Sequence, residues 1–282
     1  MNKIALITDT ACDLTEDQMK KYNVKVLPFR IIFDGKEYKD RIDISPEEVY
    51  DRLKNETPSS SLPSMKDMED MFTQLEEEGY THAIAITLSS GLSGISNALK
   101  LVSGNHEKIT TYVCDSKSIS LGEGLLVEEC AKMIEQGKSF EEIVNRLPSL
   151  IKRTNVFFIV KTLEYLKKGG RIGKVAGTIG EILNIKPIIG IGEDGKYFTY
   201  DKVRGSKQAI SKLISIVKEK IKEGKYSIYM MHGNGYKEAK EIFEQISNLE
   251  NVVSSFLGGQ ISPVAGMHSG PGLVGVAVYK RE

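Results

Sequence analysis

The sequence predicts an α/β protein in two domains: an N-terminal doubly wound, mostly parallel sheet over residues 1–150, and a C-terminal mixed-sheet α/β domain over residues 151–282. Three features point there. Short apolar runs alternate with amphipathic stretches through the first half, the pattern of repeated βα units. In the second half, Asp194-Gly195 separates two strand-like runs, so a hairpin joins the crossovers. Between the halves, Ser139 with Glu142 opens a capped amphipathic helix that reads as the bridge.

The first half carries strand-like runs at residues 3–8, 24–33, 82–87 and 108–114. Ser45 followed by Pro46 and Glu48 starts a helix with an N-cap, a proline at N1 and a capping-box glutamate. Further helical patterns cover residues 65–78, 93–102 and 119–136. The second half begins with a strand in "NVFFIVK", a short helix in "TLEYLKK" and the glycine-rich "GGRIGK". A helical stretch near residues 176–183 leads to the strand "IKPIIGIG" and into the hairpin. A long amphipathic helix over 206–222 follows, then a strand at 226–232, a helix at 236–247, and the strand-like "VVSSFL". "GMHSGPG" reads as a turn with special backbone angles, holding His268 just before the last strand.

Composition excludes several classes. Lysine plus arginine number 38 against 38 acidic residues, so no global field favours nucleic acid or an anionic membrane. Tryptophan is absent, which removes the usual stacking platform for single strands. Apolar runs such as "VFFIV" are far too short to span a bilayer, and the first residues lack the apolar core of a secretory leader. A cytoplasmic protein with no stable membrane insertion is the expectation. Cys12, Cys114 and Cys130 are odd in number and lack metal-ligand spacing, which fits reduced thiols; a reactive role for Cys12 has no sequence support. His82, His106, His232 and His268 are scattered without ligand spacing, so neither a metal nor a cofactor is expected. "GIGEDG" spells a dinucleotide fingerprint but leads into a hairpin rather than a helix, and no Walker-type phosphate loop occurs.

Chemistry concentrates where strands end. Four segments place small polar residues there: "TDTACDL" (Asp9, Thr10, Asp13), "SSSLPSMKD" (Ser60, Ser61), "SSGLSG" (Ser89, Ser90, Ser93), and "DSKSISLGEG" (Asp115, Ser116, Gly122). In an open parallel sheet these ends share one edge and border the ligand crevice. Ser93 reads three ways. As a helix cap it needs no ligand. As an anion holder it would act beside free N–H groups at a helix start. As a nucleophile it should sit in a G-x-S-x-G elbow, but the second glycine, Gly94, arrives one position early. An esterase would pair Ser93 with His268 and Asp9 or Asp115. Arg171 in "LKKGGRIGK" and Arg204 in "DKVRGSK" are loop cations suited to a phosphate or a partner, which leaves a phosphate- or nucleotide-responsive binding protein as a further rival.

The ordered motifs "ITDTACDL", "SSLPS", "TLSSGLSG", "LEYLKKGGRIG", "IKPII", "VRGSKQAI" and "HSGPG" make the chain similar to the DegV family. That family includes the fatty-acid-binding subunits of bacterial fatty acid kinase. The resemblance covers nearly the whole chain. It implies a non-catalytic carrier with a long-chain fatty acid such as palmitate buried between its domains, and a role in fatty acid transport and lipid metabolism. By the same resemblance, Ser60 with Ser61, Ser93 with Gly94, and His268 hold the carboxylate. Arg171 and Arg204 then lie near the pocket mouth, where an ATP-dependent fatty acid kinase subunit would act. Ser60 stands where threonine is usual, and Leu62 where glutamine is frequent.

Overall fold

A computed structural model describes residues 3–178 and 184–282. From the N-terminus, β1 (Ile4–Asp9) passes through a 3-10 turn at Thr10–Cys12 into α1 (Glu16–Lys21) and β2 (Val24–Leu27). The single strand expected over residues 24–33 is in fact two. Pro28 has no N–H to give a ladder, and the chain leaves the first sheet there. β3 (Arg30–Phe33), β4 (Lys36–Lys39) and, after α2 (Pro46–Arg52), β5 (Ser59–Ser61) build a separate antiparallel sheet in the order β4-β3-β5. α3 (Met65–Glu77), β6 (His82–Thr87), α4 (Ile95–Ser103), β7 (Thr110–Asp115), α5 (Leu121–Glu135) and α6 (Phe140–Arg153) follow close to their expected bounds. The doubly wound sheet is wholly parallel, ordered β2-β1-β6-β7. Its central strands β1 and β6 are buried on both faces, as parallel strands covered by helices must be.

Caps fix most of these helix starts. Ser64 and Ser139 each form a full capping box, with Asp67 and Glu142 respectively. Ser45 completes only half of one: its hydroxyl accepts the Glu48 N–H, while Glu48 turns toward Arg52 instead.

The second half is the expected mixed sheet. β8 (Thr154–Ile159) leads to α7 (Glu164–Lys168) and a 3-10 helix at Gly173–Thr178; the rest of the helix expected near 176–183 lies outside the described residues. β9 (Ile185–Ile191) and β10 (Tyr197–Arg204) form the predicted hairpin. Gly195 sits at a φ of +73°, the left-handed position that a three-residue hairpin loop gives to glycine. Next come α8 (Ser206–Lys220), β11 (Tyr226–Gly233), α9 (Tyr236–Ile246), β12 (Val252–Gln260), α10 (Pro263–Ser269) and β13 (Leu273–Lys280). The sheet order is β10-β9-β8-β13-β11-β12, with only β11 and β12 parallel.

His268 is not in a turn but in the last turn of α10. Pro263 at N1 presets the first helical φ, and Gly270 at a φ of +73° ends the helix. α10 also crosses between the halves. Val264 and Met267 pack into the N-terminal core cluster that holds Phe29, Ile31 and Tyr50. One face of the mixed sheet packs on α8 and α9 through Ile228, Met230, Val274 and Val276. Its opposite face looks toward the N-terminal half.

Candidate ligand-binding cavity

Between that second face and the C-terminal edge of the parallel sheet lies a cavity of about 390 Å³, inside the range of small-molecule sites. Ala11, Leu88, Leu92 and Ile119 wall it from the first half; Val156, Phe158, Tyr229 and Met231 wall it from the sheet opposite. Ser60, Ser61, Ser93, Gly94, Arg171 and His268, the six positions read from the sequence as head-group and arginine sites apart from Arg204, all line it.

These polar residues are tied to one another. Ser60, on β5, lies with its hydroxyl 3.0 Å from His268 Nε2. Arg171 donates from Nε to the Leu92 carbonyl at 3.3 Å and from Nη1 to the Gly169 carbonyl at 2.7 Å. That anchors the cation beside Ser93. Gly169 is where the histidine ring passes: an added Cβ would come within 2.1 Å of His268 Nδ1. The sequence "KGGRI" is thus a contact surface for the imidazole. Glycine permits the approach, and Gly170 at a φ of +71° turns the chain so that Arg171 faces the cavity.

His268 is half-buried, and its buried Nδ1 finds no hydrogen-bond partner among the described residues. Burial, aided by the Arg171 charge, pushes its pKa down to about 4, so it is neutral at pH 7. In the Nε2–H tautomer it donates to Ser60 and leaves the serine O–H to donate into the cavity. Positive charge at this end therefore comes from Arg171. Of the readings its sequence suggested, Ser93 shows the one that braces a helix. Its hydroxyl accepts the Ile95 N–H at 3.3 Å, bracing the start of α4, and its O–H is left for a ligand. The formal N-cap is Gly94, which is exposed at the cavity wall.

Other expected groupings do not form. Asp9, Thr10 and Asp13 brace loops instead of facing a ligand. The Asp9 carboxylate accepts the N–H groups of Ala11 and Leu88, and Thr10 accepts the Phe29 N–H. Asp13 is buried against Arg41 at 2.6 Å and accepts the Ser262 N–H. Asp115 accepts from Ser90 and Lys117 N–H groups. Neither Asp9 nor Asp115 orients His268, and His268 bonds to Ser60 rather than Ser93, so no esterase triad is assembled. Arg204 is exposed at the end of β10, seven residues along the strand from the cavity residue Tyr197, or roughly 23 Å at strand rise, and does not line the cavity. Cys12, Cys114 and Cys130 are free and buried, and burial raises all three thiol pKa values.

The sequence reading missed a contact that supports the Ser93 loop, made by the hairpin tip. The Ser89 hydroxyl donates to the Gly195 carbonyl at 2.8 Å, and a Cβ on Gly91 would come within 2.5 Å of that same peptide. The β9–β10 turn therefore docks on the loop that carries Ser93. The two glycines were visible as turn residues, but only the fold brings them together. Glu123, on α5, is buried with Thr8 on Oε1, and its carboxyl pKa is raised by burial and by Asp9. Asp9 itself is raised to about 7, again chiefly by burial. Among the described residues no group of three or more potential ligands is placed to hold a metal, and no helix is long and apolar enough to cross a membrane.

Comparison with known proteins settles the lineage. The DegV family profile, described as one of uncharacterised proteins, matches residues 3–281. The chain belongs to the DegV family. A DegV domain-containing protein of Clostridium acetobutylicum is 56% identical over 281 residues and covers 100% of both chains. A fatty-acid-binding DegV protein of Streptococcus agalactiae superposes with a TM-score of 0.92 at 32% identity, covering 100% of each chain. The stearic-acid-binding protein of Eubacterium ventriosum superposes at 0.85 with 28% identity, over 99% of this chain and 98% of its own. The DegV fold seen in those proteins is the one described above.

Proposed function

We propose that this DegV protein binds a long-chain fatty acid, its tail in the cavity and its carboxylate among Ser60, Ser93, His268 and Arg171. The observation that carries the reading is the asymmetry of the cavity: Ser60, Ser93, one neutral imidazole and one guanidinium gather at one end, and the remaining walls are mostly apolar, with the Ser120 and Ser269 hydroxyls already donated to Asp13 and to the Ala265 carbonyl. Fatty-acid-binding relatives of the same fold support it. Each buried CH₂ contributes about 0.8 kcal/mol, so roughly fourteen give about 11 kcal/mol gross, against association costs of about 4–15 kcal/mol. A preformed cavity keeps that cost low. The tail supplies affinity, and the polar end selects an acid and fixes its direction.

On the same reading the protein is a cytoplasmic carrier in fatty acid transport and lipid metabolism, without a catalytic role of its own. A separate ATP-dependent kinase subunit would phosphorylate the presented carboxylate, with Arg171 inside the site and exposed Arg204 available for docking. Calorimetric titration with a long-chain acid, its methyl ester and an acid of roughly eight carbons tests the core of this. Tight binding of the long acid, with large losses for the ester and the short acid, is expected. Equal affinity for acid and ester would remove the head-group assignment.

A further inference from the structure

We propose that β13 is the floor of a groove for the acyl tail and that Tyr279 is its end wall, which sets the longest chain accepted; this rests on the fatty-acid reading above. Strand register sets which side chains share a face. Side chains alternate across a sheet, so residues two apart on β13 share the face that looks into the cavity. On that face β13 presents Gly275, Ala277 and Tyr279 in succession. Its neighbours β8 and β11 pair with it residue by residue.

Three cross-strand rows result. The first is Phe158–Gly275–Met231 and the second is Val156–Ala277–Tyr229. Both have a bulky residue on each flank and almost nothing in the middle, and all six residues line the cavity. The third row, Thr154–Tyr279–Ser227, inverts the pattern: small at the flanks, large at the centre. Two consecutive rows of large–small–large make a trench along β13, and the third row blocks it.

Tyr279 is built as a wall. It is 2% exposed and joins the core cluster of Leu125, Leu147 and Leu150, and the cavity lining reaches the Ala277 row and stops there, one row short of it. Arg153 and Arg281 lie 5.2 and 4.8 Å from its ring centroid, and Arg153 donates to its hydroxyl at 3.1 Å. Behind it the sheet is polar: Arg281 donates to Ser227, and its Nη1 pairs with Glu129 at 2.9 Å. A tail that pushed past Tyr279 would meet charge rather than grease. α5 roofs the trench, with Gly122 so close to Val156 that an added Cβ would lie 2.4 Å from its Cγ2.

Orientation and length agree. β13 begins just after α10, which carries His268, and β8 ends toward α7 and Arg171, so the polar end lies at the Leu273 side of the trench. From Leu273 to Tyr279 the strand runs ~20 Å at its usual rise. Half the hydrocarbon core of a bilayer, the depth that one tail fills, is about 15 Å. The trench therefore suits one extended long-chain tail.

The test is a pair of floor substitutions, Ala277→Leu and Gly275→Val, read by calorimetric binding of saturated acids graded from roughly ten to twenty carbons. The site at Gly275 is open to a side chain: an added Cβ there meets Phe158 Cβ at an ordinary 3.4 Å. Ala277→Leu should shift the preferred length down while short acids keep their affinity, with a loss of about fourfold for each methylene excluded. Gly275→Val, one row nearer the head, should shift it further. If Ala277→Leu fails to fold by its melting profile, the shift in Gly275→Val decides the matter. Unchanged length ranking, or an equal loss for all lengths while the parent protein binds long acids, would overturn the trench and leave the functional reading standing. No binding of any acid by the parent would overturn both.

Discussion

Ser60→Ala probes the polar end at its most exposed dependency. His268 already leaves Nδ1 without a partner among the described residues, and Ser60 is the group at 3.0 Å from its other nitrogen. Removing the hydroxyl takes the partner from Nε2 as well, so that neither ring nitrogen of the half-buried imidazole is bonded to the protein. A buried polar group left unsatisfied costs about 1–3 kcal/mol. That loss should appear in the ligand-free protein as a lower melting temperature. It should appear again as weaker carboxylate binding of about 1–3 kcal/mol, because the same hydroxyl is a head-group donor. Ser60→Thr restores the hydroxyl and should recover most of both. Calorimetric titration and thermal melts of the two variants and the parent read these effects directly. If Ser60→Ala melts and binds like the parent, or if Ser60→Thr is equally damaged, then the Ser60–His268 pair holds neither the fold nor the ligand.

Ser93→Ala should weaken fatty-acid binding by about 1–3 kcal/mol, with the methyl ester much less affected, since the hydroxyl serves the charged head. Gly91→Ala forces a Cβ onto the Gly195 peptide and should destabilise the protein by about 1–3 kcal/mol in denaturant titration, through undocking of the hairpin tip. For His268, the folded pKa of about 4 lies below its ordinary 6.5, so its stabilising contribution is complete above pH 6.5 and is lost as pH falls toward 4. His268→Gln should flatten the decline of stability across that interval. Glu123 behaves oppositely: its raised carboxyl pKa favours the fold at low pH and costs it as pH rises. Glu123→Gln should therefore gain more stability at pH 8 than at pH 5.

The βα grammar was readable because parallel strands buried on both faces are continuous apolar runs, such as His82–Thr87, and because serine caps mark helix starts at Ser45, Ser64 and Ser139. The break at Pro28 was in the letters too, but an apolar run on either side of it masked the change of sheet. α10 went unseen because three glycines and a proline around His268 outweigh a seven-residue helix whose first residue is Pro263. At the site, the residues themselves nominate Ser60, Ser93 and His268 only singly, and it is the family resemblance that groups them; their meeting depends on α10 crossing into the N-terminal core. No local pattern encodes that crossing. The roles of Asp9 and Asp13 stayed open in the sequence for a related reason. An acid after a strand looks the same in sequence whether it faces a ligand or holds the backbone N–H groups of a neighbouring loop.

The central claim is that an apolar cavity between the two sheets holds an acyl tail. Native mass spectrometry of freshly purified protein, followed by denaturing extraction, addresses it most directly. The expected result is one bound fatty acid per chain, released on denaturation and reduced in the Ser93→Ala and Ser60→Ala variants. A protein that carries no lipid, and takes up none when incubated with long-chain acids, would contradict the account.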